Sequence, residues 1–269
     1  MLKNCFLILF LFFGVQNSFA QNLQKMQNWQ DSLFNLGQKI YAPNTSELER
    51  IESNFLFIKI LVSALKEPNS YFFNFDKLKI ISSVRSPDDT FRIFSWNIPM
   101  HDGSYLYYGS IQRKSGSLNL IPLLDKTFEI KNAELDIVGN DFWYGAQYYD
   151  IIPFQKDKYI LLGWKGHNAQ NTKKVIEVLR FMPNGDIKLG DNIFLEDTSL
   201  ARKIFTYAKE ATMLLAFQNA DHRIIFDHLV PLEDSTNQRN VPDLTHDAYL
   251  LEGKGLKLLK DVLVLNLDN

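Results

Sequence analysis

Residues 91–96, Phe91-Arg92-Ile93-Phe94-Ser95-Trp96, read as a β-strand, and they set the class of the chain. The run reads as an alternating one, the period-two pattern expected of a strand. Asp102-Gly103 follows as a turn, and Tyr105 to Gln112 returns as an aromatic strand. The same arrangement recurs downstream. Tyr159 to Trp164 and Val175 to Met182 flank a loop, and Pro183-Asn184-Gly185-Asp186 predicts a type I′ hairpin, because Asn-Gly tolerates positive φ at both central positions. A third group runs from Lys203 through Met213 to Phe217, turns at Asn219 to His222, and returns as Arg223 to Val230. It finishes with Tyr249 to Glu252 and Leu256 to Leu267. Ser117 to Pro122 and Val262 to Leu265 also read as strands, and Leu232 to Thr245 reads as a long surface loop.

Three meanders beginning near Phe91, Tyr159 and Thr212 are unevenly spaced and longer than a propeller blade of about 40–45 residues. Three blades also fall short of the roughly four to eight that close a ring. The expected fold is therefore mainly β: a twisted antiparallel β-meander over 69–269, forming a sandwich or an incomplete propeller-like arc, with an N-terminal helical hairpin over 21–68.

The helical reading rests on a change of period. Leu23, Met26, Trp29, Leu33, Leu36 and Ile40 lie three or four residues apart, and Gly37 and Pro43 are expected to weaken the end of that helix. Ser46 and Glu49 form a possible capping box for a second helix. Its stripe of Leu48, Ile51, Phe55, Ile58, Val62 and Leu65 is widened by Leu56, Phe57, Ile60 and Leu61. Phe55, Ile58 and Val62 are expected to face the β region and help cover its edges.

Residues 1–20 have the order of an export signal: Lys3 in a basic start, an apolar run from Cys5 to Val15, and Ser18-Phe19-Ala20 as a small-x-small cleavage site. The apolar run is too short to span a bilayer. Cleavage after Ala20 would remove Cys5, the one cysteine of the chain, leaving a cysteine-free mature protein of roughly 250 residues, enough to bury a core without disulfides. The expected location is periplasmic or secreted, with no transmembrane segment in the mature chain. A net charge of −2, one unit more negative without Lys3, argues against nucleic acid as a partner.

No reaction motif stands out. The five histidines, His101, His167, His222, His228 and His246, make no metal-ligand spacing, and no cofactor is indicated. Ser63-Ala64-Leu65-Lys66, Ser95-Trp96-Asn97 and Lys114-Ser115-Gly116 imitate elements of penicillin-recognising enzymes. They crowd into too little chain, and the first sits at a helix end whose dipole disfavours an oxyanion. Asp227-His228 interrupts an apolar strand with titratable groups. Adjacent strand residues point apart, so the two serve separate environments, and a structural network is favoured for Asp227. Phe142, Trp143, Tyr144, Tyr148 and Tyr149 could offer flat faces to a sugar or peptide, although strand aromatics more often pack in cores. The candidate binding residues are thus Trp143, Tyr144, Tyr148, Trp164, His167, Asp227 and His228, with no catalytic or metal-binding residue assigned.

Thr90 to Trp96, Tyr105 to Gln112, and Arg223 to Pro231 with its Asp-His-Leu segment resemble exported β-rich proteins of Bacteroidota-type bacteria. That resemblance implies export and carries no activity, metal or cofactor. The expected function is an exported, non-catalytic binding or envelope-associated protein whose partner is a protein, peptide or glycan. The alternative is a glycosidase-like hydrolase with carboxylates on its loops.

Overall fold

Alternation in the sequence becomes strand pairing in the computed structural model, which describes residues 2–115, 118–232 and 239–264, with side chains from Asn22 onward. The chain divides into two compact units, residues 1–80 with 113–119, and residues 81–112 with 120–269.

The first unit is a helical hairpin. Helix α1 runs over Leu2–Tyr41 and α2 over Glu47–Leu65. The capping box at Ser46 forms as expected: Glu49 N–H donates to Ser46 Oγ at 3.3 Å, and Ser46 N–H donates to Glu49 Oε2 at 2.9 Å. Arg50 donates from Nε and Nη2 to the carbonyls of Thr45 and Ala42, each at 3.1 Å, which fixes the short connection. Gly37 does not end α1. It sits within the helix where Ile80 packs so closely that a Cβ would lie 1.9 Å from Cδ1 of Ile80.

The buried stripe of α2 is Arg50, Ser53, Asn54, Phe57, Leu61, Ala64 and Leu65. Phe55 is 57% exposed, so it does not turn inward as the spacing suggested, and Ile58 and Val62 are only partly buried. With apolar residues on nearly every side of α2, periodicity could not select the face; packing of α2 against α1 does so. Among the described residues, no helix is long and apolar enough to cross a membrane.

Among its described residues, the second unit forms three antiparallel sheets and no closed barrel. The first is β1 (Ser82–Arg85), β2 (Phe91–Pro99), β3 (Tyr105–Arg113) and β4 (Leu120–Leu124), paired in chain order. The second orders β5 (Gln147–Gln155), β6 (Lys158–Gly166), β7 (Asn171–Phe181) and β8 (Ile187–Leu189), with β9 (Lys203–Ala208) also on β7. The third is β10 (Leu215–Gln218), β11 (Arg223–Pro231), β12 (Asn240–Glu252) and β13 (Gly255–Leu259).

The second sheet is the middle layer. Tyr159, Leu161, Leu179 and Phe181 join Phe91, Ile93, Tyr107 and Ile111 of the first sheet in one core. Ile160, Leu162, Ile176 and Val178 join Ile224, Phe226 and Tyr249 of the third sheet in another. Burial on both faces explains why Tyr159 to Trp164 is apolar almost without interruption. Strands β8 and β9 lie end to end along one edge of β7, with residues 190–202 looped out between them. That excursion carries Ile193 and Phe194 into the second core, and Phe194 bridges Leu256 of β13, so one loop ties the middle sheet to the third.

Three expectations change. The turn at residues 183–186 is not type I′: of its residues only Gly185 has positive φ, at 91°, and Gly185 N–H donates to the Met182 carbonyl at 2.9 Å. Pro183 has no N–H for the closing pair of a two-residue hairpin, and its fixed φ suits the first central position of a type I turn. Asn240 to Thr245, read as loop, belong to β12, where Val230 pairs with Val241 and Pro231 with Asn240. Residues 233–238 of that segment lie outside the described residues. Among the described residues the last strand ends at Leu259, and Val262 to Val264 form no strand; Leu265 to Leu267, like Ser117 of the expected strand at 117–122, lie outside the described residues.

Candidate functional site

The sequence candidates separate into two places. Trp143 and Tyr148 are fully buried in the core between the first and middle sheets, where Trp143 Nε1 donates to Tyr148 Oη at 2.9 Å, so they present no face to a ligand. Burial raises the Tyr148 phenol above its ordinary pKa. Trp164 is half-buried and meets Tyr105 edge to face at 5.6 Å. Tyr144 lines one cleft and Asp227 and His228 line another, whereas His167 is half-buried and lines neither.

The cleft on the third sheet has a volume of about 450 Å³. Phe205, Phe226, Leu229 and Leu258 line its apolar part. Its polar side chains are arranged by a reciprocal motif: Asp227-His228 on β11 runs antiparallel to His246-Asp247 on β12, and the residues pair crosswise. His246 Nε2 lies 3.2 Å from Asp227 Oδ1, and His228 Nδ1 lies 2.9 Å from Asp247 Oδ2. Asp227 and His246 are register partners, whereas the ladder breaks between Asp227 and Leu229, so His228 escapes regular pairing. Asp227 also accepts the Leu214 N–H at 2.7 Å, and Asp247 accepts the Asp261 N–H at 3.1 Å. The hydrogen bond that the protonated ring donates to Asp247 raises the His228 pKa above its ordinary value.

The excursion between β8 and β9 supplies the opposite wall with Glu196, Asp197 and Leu200, and Lys203 joins them from the first position of β9. Tyr249 Oη donates to Glu196 Oε1 at 2.5 Å, and Ser199 holds Asp197, lowering its pKa. Four carboxylates therefore surround this cleft, against the ammonium of Lys203 and the imidazole of His228. Each of the four is engaged by a hydrogen bond within the protein.

A second cleft, of about 440 Å³, opens beside the middle sheet and is lined by Asn132, Glu134, Tyr144, Lys173, Ile204 and Thr206, among others. Behind it lies Lys165, 2% exposed. Its Nζ donates to the carbonyls of Tyr144 and Gly145 at 3.0 and 2.6 Å and to Thr127 Oγ1 at 2.9 Å. The ammonium also lies 4.3 Å from the Tyr107 ring centre and 4.6 Å from that of Tyr144. Burial pushes the Lys165 pKa down to about 7, with Lys173 adding to the fall and Asp125 opposing it. Gly145 has φ of 43°, and a Cβ there would lie 2.7 Å from Asp125 Oδ1; this bend needs glycine, and it delivers the two carbonyls to Lys165. His167 falls below its ordinary pKa through burial and the charges of Lys173 and Lys165.

Asp247, Glu196 and Tyr249 escaped the sequence reading because their partners are distant in the chain. His246 and Asp247 were hidden in a segment read as loop or as its border, although the mirrored Asp-His and His-Asp pairs were a usable signal. Lys165 and Lys173 become neighbours only through the β6–β7 register. Among the described residues, no cluster of three or more His, Cys, Asp or Glu side chains is positioned to hold a metal ion. No family model matches this sequence, and no curated protein matches it.

Proposed function

We propose that this is an exported binding protein whose third-sheet cleft takes a cationic ligand with an apolar body, such as a peptide presenting an apolar side chain beside a lysine or arginine. The observation that carries this reading is the composition of that cleft, an apolar lining beneath four carboxylates that outnumber its cationic groups. Such a pocket gains affinity by burying the apolar body and selects the sign of charge by its field. Binding is favoured over hydrolysis because Asp227, Asp247, Glu196 and Asp197 are each engaged internally. A glycosidase needs one carboxyl kept protonated as an acid and a second open to the substrate. Among the described residues, the two carboxyls raised by burial, Asp150 and Glu177, line neither cleft. Export is supported by the order of basic start, apolar run and Ala20 site in the sequence.

Fluorescence anisotropy with labelled Phe-Lys-rich and Phe-Glu-rich peptides tests the binding reading. The lysine-rich peptide should bind, more weakly as salt rises, and Glu196→Gln with Asp197→Asn should weaken it. Equal binding of the two peptides would refute the charge argument. Turnover of a chromogenic glycoside, abolished by the same carboxylate variants, would favour the hydrolase instead.

A further inference from the structure

Lys165 and Lys173 are direct partners in the antiparallel ladder of β6 and β7, so their side chains leave the same face of the middle sheet. Like charges placed opposite one another cost stability, and burial adds to the cost by lowering the pKa of both. Neither ammonium has a carboxylate within 4.0 Å among the described residues, while Arg202 nearby is fully neutralised by Glu177 at 2.9 Å. Lys165 is satisfied by neutral oxygens. Lys173 is half-buried, and its Nζ lies 3.3 Å from Tyr144 Oη at the wall of the 440 Å³ cleft. Glu134 shares this cleft, but its Oε1 accepts the Ile204 N–H at 3.0 Å and faces Lys203 at 3.9 Å.

We propose that the cleft beside Tyr144 and Lys173 binds the carboxylate group of a small organic ligand. Lys173 Nζ supplies the cation, and the Asn132 amide and Thr206 hydroxyl, both on the cleft wall, supply neutral donors. Lys165 acts from behind as a positioning residue: it grips the carbonyls of Tyr144 and Gly145, holding the Tyr144 ring against the site, and adds positive potential without touching the ligand. A monoanion fits better than a phosphate dianion, because one ammonium is accessible and the Glu134 carboxylate stands in the same wall. The volume leaves room for an organic body beyond the carboxylate. This site lies apart from the third-sheet cleft and does not depend on the reading of it.

The test titrates the full chain with benzoate, its neutral analogue benzamide, and inorganic phosphate at constant ionic strength. Thermal melting is one readout, and protection of Lys173 from brief amine acylation, mapped by peptide mass spectrometry, is the second. Benzoate at millimolar concentration should raise the melting temperature and protect Lys173, and benzamide should do neither. Lys173→Met should lose the response, whereas Lys173→Arg keeps it. Ligand-free Lys173→Met should melt at or above the wild type, since it removes a charge facing Lys165. The proposal is overturned by the absence of a benzoate response, by an equal response to benzamide, or by a Lys173→Met protein that still responds. A ligand-free Lys173→Met protein that melts lower would assign the lysine a structural role instead. A stronger response to phosphate would overturn the choice of a carboxylate.

Discussion

Arg202→Met should be among the most damaging single substitutions in the chain. Arg202 and Glu177 have fully buried side chains, joined from Nε to Oε2 at 2.9 Å. The guanidinium also donates to the carbonyls of Asp136 at 3.0 Å, Leu189 at 3.2 Å and Ala133. Removing it strands a carboxylate in the interior, which costs about 3–5 kcal/mol for a broken buried pair. The Asp136 and Ala133 carbonyls lose this donor as well, while Leu189 keeps the Val138 N–H at 2.9 Å, so the loss is a large part of the roughly 5–15 kcal/mol that holds a domain folded. Urea denaturation with linear extrapolation measures it.

The double variant Glu177→Leu with Arg202→Met should recover much of the loss, because apolar residues of similar volume often replace a buried ion pair without penalty. The pH dependence has a definite sign. Burial lifts the Glu177 carboxyl above its ordinary range even with Arg202 present, and loss of the cation lifts it further. A carboxyl whose folded pKa is raised contributes stability at low pH and loses it as pH rises through the folded value. The deficit of Arg202→Met should therefore be smaller near pH ~5 than near pH ~8. A loss under about 1 kcal/mol, or a double variant no better than the single one, would refute this account of the pair.

In the helical unit, Phe57→Ala should cost about 3–5 kcal/mol and the exposed Phe55→Ala under about 0.5, a contrast that thermal melting resolves directly. Asp227→Asn should cost roughly 1–3 kcal/mol through its bonds to Leu214 and His246. His228→Ala, on a half-exposed ring, should cost less than about 1 kcal/mol. Any stability from His228 is present below its unfolded pKa and fades as pH rises through the raised folded value, so equal losses for the two variants at neutral pH would contradict the assignment. Lys165 has a folded pKa lowered to about 7, so the unfolded chain binds the extra proton between that value and the ordinary lysine range. Wild-type stability should rise across this interval by at most about 1.4 kcal/mol per pH unit from this group, and Lys165→Met should abolish that slope.

Alternation and turn chemistry are local, so the sequence by itself determined the three meanders, the two helices and the Ser46 capping box. Each is written in neighbours a few residues apart. It also narrowed Asp227 to a paired residue, because a carboxylate on an apolar strand needs a partner. The face of α2 was beyond it, since Phe55 and Phe57 are equally apolar and only contact with α1 distinguishes them. Strand β12 was obscured because Asn240 to Thr245 look like loop until β11 pairs with Asn240 to Pro242. The turn at Pro183 was legible in principle, for the missing N–H of proline already excludes the hairpin that Asn184-Gly185 suggested. The two clefts were decided by tertiary structure alone: the crosswise Asp–His pairs need the β11–β12 register, and the opposed lysines need that of β6–β7. Glu196 reaches the third sheet only because residues 190–202 loop out of the middle one. Both clefts are lined by side chains that converge across strands, and convergence in space leaves no period in a chain.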